Sequence, residues 1–149
     1  MNLNFSNQTN QKKWYQYKGE LENILNLVID RFDLDQMTQV SCILVDDKSM
    51  HQYNLNYRQI DRSTDVLTFV DENQPNYLGD IIINVEAITL QAKEYDHTIK
   101  REICFLFTHG LLHALGYDHH TSSDEAMMIS EQKEILSHVS KRSYRKSNS

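Results

Sequence analysis

Residues 108–120 read THGLLHALGYDHH and carry four of the chain's seven histidines at spacings that suit a shared metal ion. His109 and His113 are four residues apart, so on a helix they project from one face about one turn apart. Gly116 permits the left-handed backbone that ends a helix, and a turn through Tyr117 and Asp118 then swings His119 toward the same point. Three protein ligands with a fourth position left for water is the pattern of a catalytic zinc, whereas a structural zinc is closed by a fourth ligand, commonly cysteine. The two cysteines, Cys42 and Cys104, lie far apart in apolar stretches and read as small buried residues rather than a disulfide or a metal pair. The expected site is therefore open, with one Zn2+ per chain on His109, His113 and His119. Three imidazoles also suit nickel, copper or iron. The competing reading is a set of hydrogen-bonded core histidines. It is weakened because residues 103–115 are apolar almost all round, the mark of a buried helix, and an ion shared by two buried imidazoles offsets the cost of burying them.

A buried histidine helix needs other elements to wrap it. Residues 11–32 follow a helical period, with Leu21, Ile24, Leu25, Val28, Ile29 and Phe32 on one face. Residues 40–45, VSCILV, read as a strand, and residues 2–5 as a short edge strand. Asp46 or Asp47 then caps a helix that carries Met50, Tyr53, Asn54 and Tyr57 and delivers Arg58 at its end. The polar turn at 61–65 feeds a second core strand at 66–70, and the loop at 71–77 holds the only proline, Pro75. Gly79 precedes a strand at 80–84, and Asn84 caps a helix to about Tyr95. Asp96 or Thr98 starts the histidine helix. A last helix, 123–139, turns Met127, Met128, Glu131, Ile135 and Leu136 toward the core. Three or four strands interleaved with about five helices give a layered α/β or α+β fold.

The histidine stretch resembles the H-G-x-L-H-x-x-G-Y-D-H signature of the YbeY endoribonuclease family, matched by His109, Gly110, Leu112, His113, Gly116, Tyr117, Asp118 and His119. Residues 55–69, LNYRQIDRSTDVLTF, resemble the family's second motif through Arg58, Asp61, Thr64, Asp65, Val66 and Leu67, and Val70 stands where the family has proline. Gly79, Asp80 and Ile81 match its G-D-I strand, and Glu102 stands where glutamate is common. The resemblance implies a small mixed sheet covered by helices, with the metal site in a cleft lined by Arg58 as the catalytic residue. It further implies a zinc-dependent, single-strand-specific endoribonuclease that matures the 3′ end of 16S ribosomal RNA and serves ribosome quality control. Its partners would be RNA and the small ribosomal subunit. An arginine suits the task because its planar fork binds two phosphate oxygens and keeps its charge at neutral pH; the competing role for Arg58 is a surface pair with Asp61 or Asp65.

At 149 residues the chain is long enough for one domain with a real core, and a net charge of −6 argues against a protein that coats nucleic acid non-specifically. A local basic cleft remains open to it: Lys93, Lys100 and Arg101 lie near the start of the histidine helix, and Lys141, Arg142, Arg145 and Lys146 make a basic tail that reads as disordered from about 141. Each of these also reads as a solvated surface charge. No apolar run approaches the roughly 20 residues that cross a bilayer, and the polar opening lacks a signal-peptide core, so the cytoplasm is the expected location.

Two rival functions remain. A zinc protease of the H-E-x-x-H type needs a glutamate after its first histidine as general base, and here that position is Gly110. A metal-stabilised ribosome assembly factor would bind the small subunit with little catalysis. Asp118 reads as a partner that orients a histidine ring or as a substitute for the missing protease base, His120 as an exposed histidine, a fourth ligand or a proton shuttle, and Glu102 as a site residue or an exposed first-turn residue.

Overall fold

Side-chain alternation decides how the sheet is covered. The computed structural model describes residues 2–139, and its strands are β1 (Leu3–Asn7), β2 (Gln39–Val45), β3 (Val66–Phe69) and β4 (Tyr77–Asn84). They form one mixed sheet in the order β1-β2-β4-β3, parallel except for β3, which runs antiparallel at the edge. Val40, Cys42 and Leu44 of β2 and Ile81 and Ile83 of β4 point to one face, and Val45 and Ile82 to the other.

The first face is covered by α1 (Lys18–Arg31), α4 (Ile99–Ala114) and α5 (Ser122–Ser137), which contribute Leu21, Leu25, Phe107, Leu111, Met128 and Ile135 to the main core. The second face carries α2 (Asp47–Arg58), where Met50 packs on Val45, Leu67 and Ile82. Between them lies α3 (Val85–Glu94). Four of these helices start at a side-chain cap: Asp46 accepts from the Ser49 amide at 2.8 Å, Asn84 from Glu86 at 3.0 Å, Thr98 from Arg101 at 3.0 Å and Thr121 from Asp124 at 3.0 Å. Each such cap contributes about 1 kcal/mol. The result is the α+β fold with a mixed sheet and five α-helices that the sequence led us to expect.

The helix expected over 11–32 is two elements. Lys12–Tyr17 is a 3-10 helix, whose three-residue turn puts Trp14 and Tyr17 on one side with ring centroids 5.9 Å apart, and only then does the α-helix begin. Strand β4 starts at Tyr77 and runs through Gly79, which has φ +140° beside a register shift between Gln39 and Ser41, so this glycine marks an irregular ladder rather than a strand's start. Met127 is exposed, because the buried stripe of α5 is Met128, Gln132 and Ile135. The basic tail lies outside the described residues. No helix among the described residues is long and apolar enough to cross a membrane.

Candidate metal centre and its cleft

Helix α4 is buried along most of its length, and His109 and His113 emerge half-buried from its last two turns. Gly110 lies against the sheet: a Cβ there would come within 2.6 Å of Ile81 Cγ2, so the backbone of α4 sits directly on β4. The helix ends with paired bonds, Tyr117 N–H to the Leu112 carbonyl and Gly116 N–H to the His113 carbonyl, both 3.0 Å. This closure needs a positive φ at the residue after the cap, and Gly116 supplies it at +102°. Tyr117 packs edge-on against Phe32 at 6.1 Å, which anchors the turn and brings His119 back over the helix.

The three imidazoles converge. His109 and His113 ring centroids are 4.7 Å apart, His109 and His119 5.2 Å, and His113 and His119 5.1 Å. One ring nitrogen from each lies within 4.8 Å of the others, a set that could hold a metal ion. Burial, and then the neighbouring His113 and His119, push the His109 pKa down to about 4, and burial followed by His119 also lowers that of His113. Both rings are therefore neutral at pH 7 and offer lone pairs, the state a cation requires. The donor chemistry fits zinc. The thiols are excluded from it: Cys42 and Cys104 are buried and free, and burial raises both pKa values, that of Cys104 to about 12.

Arg58 reaches the same place from the other side of the sheet. Helix α2 ends at Gln59, which adopts the left-handed conformation at φ 56°, and Asn54 holds the following loop through a 2.8 Å bond from its side-chain amide to the Arg62 carbonyl. Because β3 is a short edge strand, the end of α2 can reach round it. A cavity of about 420 Å3 results, lined by Tyr57, Arg58, Thr68, Phe69, Val70 and His113. The charge of Arg58 is felt at His113, where it contributes to the lowered pKa. Asp61, offered as a competing partner for Arg58, instead pairs with His51 at 2.7 Å.

Residues 2–140 match the family described as Endoribonuclease YbeY. The chain belongs to that family. Endoribonuclease YbeY of Mycoplasmopsis pulmonis is 38% identical over 143 residues, covering 90% of this chain and 95% of that relative. The Bacillus subtilis protein of the same description is 40% identical over 129 residues, covering 78% of this chain and 82% of its own. Among solved structures, the solution structure of TM1509 from Thermotoga maritima is similar at a TM-score of 0.66 and 26% identity, covering 90% of this chain and 86% of that one. Membership of an endoribonuclease family makes RNA the substrate class.

The remaining candidates of the YbeY-like site separate. Lys100 is held 2.9 Å from Glu20 of α1, nine residues before His109 and so about 14 Å away along the helix. Glu102 is 4% exposed rather than a solvated first-turn residue, and burial, with the Asp65 carboxylate second, raises its pKa to about 7. Asp118 accepts from the His120 amide at 3.1 Å, and the His120 side chain is 85% exposed outside the histidine cluster. Asp65, matched in the motif and offered with Asp61 as a surface partner for Arg58, lies close enough to His109 to favour its protonated form. It also accepts from the Val66 amide at 2.8 Å and from Gln91 at 3.3 Å, which fix it at the start of β3.

Proposed function

We propose that this chain is a zinc-dependent endoribonuclease that cleaves single-stranded RNA, with His109, His113 and His119 as ligands of one ion and Arg58 as the catalytic residue. The observation that carries the proposal is the meeting of three imidazoles with the Arg58 cavity around the edge of β3. A divalent ion held by the histidines supplies Lewis acidity toward a phosphoryl oxygen and lowers the pKa of water. The chain's own residues do the rest. Neutral His109 and His113 each offer a ring nitrogen to the point they share with His119, and the exposed Arg58 lines a cavity with His113, bringing charge that matches the non-bridging oxygens of the scissile phosphodiester. Asp118 restrains the loop that carries His119 by accepting the His120 amide.

The peptide-cleaving alternative loses support from packing as well as from sequence. The residue after His109 points at Ile81 in the sheet, so the position that would carry a protease's general base is turned away from the cleft. The family motifs support a role in 3′-end maturation of 16S ribosomal RNA and in ribosome quality control, in the cytoplasm and with the small subunit as partner.

Incubating metal-loaded, chelated and Arg58→Ala protein with a single-stranded oligoribonucleotide tests the proposal. Cleavage is expected from the first alone. Intact RNA with metal-loaded protein that still binds small subunits would replace the nuclease reading with that of an assembly factor.

A further inference from the structure

The row of side chains that holds the histidines continues toward the start of α4. Arg101, Phe105, His109 and His113 follow at four-residue steps and so share one face of the helix. Phe105 is unusual there. Its neighbours Cys104 and Leu106 are buried, yet it is 41% exposed. Its ring lies within 18° of parallel to the His109 imidazole, with centroids 6.4 Å apart. Opposite it, α5 contributes Ile129, Gln132, Lys133 and Leu136, and with Arg101 and Phe105 they line a groove of about 350 Å3. The buried Gln132 side chain donates to the Phe105 carbonyl at 3.1 Å, which ties the two helices together at the groove.

We infer that this groove is a nucleobase subsite, taking the base of a nucleotide next to the scissile linkage, with its ring on Phe105 and its phosphate toward Arg101 and Lys133. The inference rests on the reading of the chain as a ribonuclease of single strands. A flat aromatic face bordered by cations is the chemistry that recognises an unpaired nucleotide, and it tolerates any sequence because every base has a π-face. The charge favours this occupant: in a chain of net charge −6, the groove carries two cationic side chains and no carboxylate among its lining residues. Its position favours it too, since the Phe105 ring at the edge of the groove stacks against one of the proposed ligands, His109. A base paired in a duplex cannot lie on Phe105, so the subsite also supplies a physical origin for single-strand preference.

The test uses the full, zinc-loaded chain as wild type, Phe105→Leu and Phe105→Trp, with single-stranded oligoribonucleotides carrying 2-aminopurine at successive positions. Phe105→Leu keeps apolar bulk and removes the flat ring. It is expected to raise KM for cleavage by roughly 5- to 150-fold, the range that loss of one base stack produces, with kcat, metal content and melting temperature little changed. Phe105→Trp should restore KM. Fluorescence reads stacking without turnover: one 2-aminopurine position should be quenched by wild type and released by Phe105→Leu. Quenching that depends on Phe105 in a protein that leaves RNA uncut would uphold the subsite and remove the nuclease reading. Cleavage and quenching indifferent to Phe105 would overturn the subsite and leave the groove to a protein partner, and a wild type that neither cuts nor binds RNA would overturn both.

Discussion

The Nε2 atoms of His109 and His113 stand 3.1 Å apart. Two nitrogens each bound at about 2.0 Å to a tetrahedral ion lie about 3.3 Å from one another, so the helix already presents this pair near the spacing of ligands on one metal. Zinc titrated into metal-free protein is expected to saturate at one ion per chain. At about a hundred times its dissociation constant it should stabilise the fold by about 2.7 kcal/mol, or roughly 5–10 °C in Tm. His113→Ala should abolish both effects. Full occupancy in that variant, measured by elemental analysis, would end the three-histidine assignment.

Arg58 is exposed at the end of α2 and shares its cavity with His113, so its contribution to catalysis separates from any contribution to folding. Arg58→Ala should change Tm by no more than a degree or two, since exposed substitutions away from special contacts usually stay within about 0.5 kcal/mol. Cleavage of single-stranded RNA should fall about 100- to 1,000-fold, the loss seen when one preorganised charge-stabilising donor is removed. Arg58→Lys, which keeps the charge without the planar fork, should lie between. Cleavage unchanged in Arg58→Ala would remove the residue from the mechanism.

The site was legible where chemistry and local geometry coincide. His109 and His113 follow from helical spacing alone, and His119 follows once Gly116 is taken to end the helix, because both are short-range facts. The place of Arg58 beside His113 is different in kind: it depends on α2 and α4 covering opposite faces and on β3 being a four-residue edge strand, and no local period encodes that. Glu102 shows the same limit. Its first-turn position suggests exposure, but it falls on the side of α4 turned toward the protein and is buried while its neighbour Arg101 is exposed. Phe105 did carry a signal, since it falls four residues before His109 on the one face of α4 where a large apolar side chain is out of place, but an apolar residue in an apolar helix hides it. The 3-10 start before α1 escaped because Trp14 and Tyr17 satisfy a three-residue and a 3.6-residue period about equally over so short a span.

At Gly110 the backbone of α4 lies against Ile81 of β4, and its carbonyl also accepts from Thr68 Oγ1 of β3 at 3.3 Å. A methyl group there meets Ile81 Cγ2 at 2.6 Å and must push either that side chain or the helix aside. Gly110→Ala should therefore cost about 1–3 kcal/mol despite alanine's better helix propensity, read as a lower denaturation midpoint. Because any shift of α4 carries His109 and His113 with it, zinc affinity should weaken as well. Pairing it with Ile81→Ala, which removes Cγ2 itself, should recover part of the loss in zinc affinity. A Gly110→Ala variant as stable as wild type would mean that the helix stands further from β4 than this packing requires.

Glu102 makes stability depend on pH in a direction opposite to most carboxylates. Its pKa rises from an ordinary 4.5 to about 7 because burial penalises the charged form, with the Asp65 carboxylate adding to the effect and Arg101 opposing it. Between pH 4.5 and about 7 the folded state holds a proton that the unfolded state has lost, so stability falls as pH rises through that window and levels off above it. Glu102→Gln imitates the protonated side chain at every pH. The variant and wild type should therefore have similar unfolding free energies near pH 4.5, and the variant should gain progressively, reaching a difference on the order of 3 kcal/mol by pH 8. Urea titrations at four or five pH values measure this directly. A difference that stays flat across the window would mean that the Glu102 carboxyl ionises in the folded protein as it does in water, and that the packing around the first turn of α4 is open to solvent.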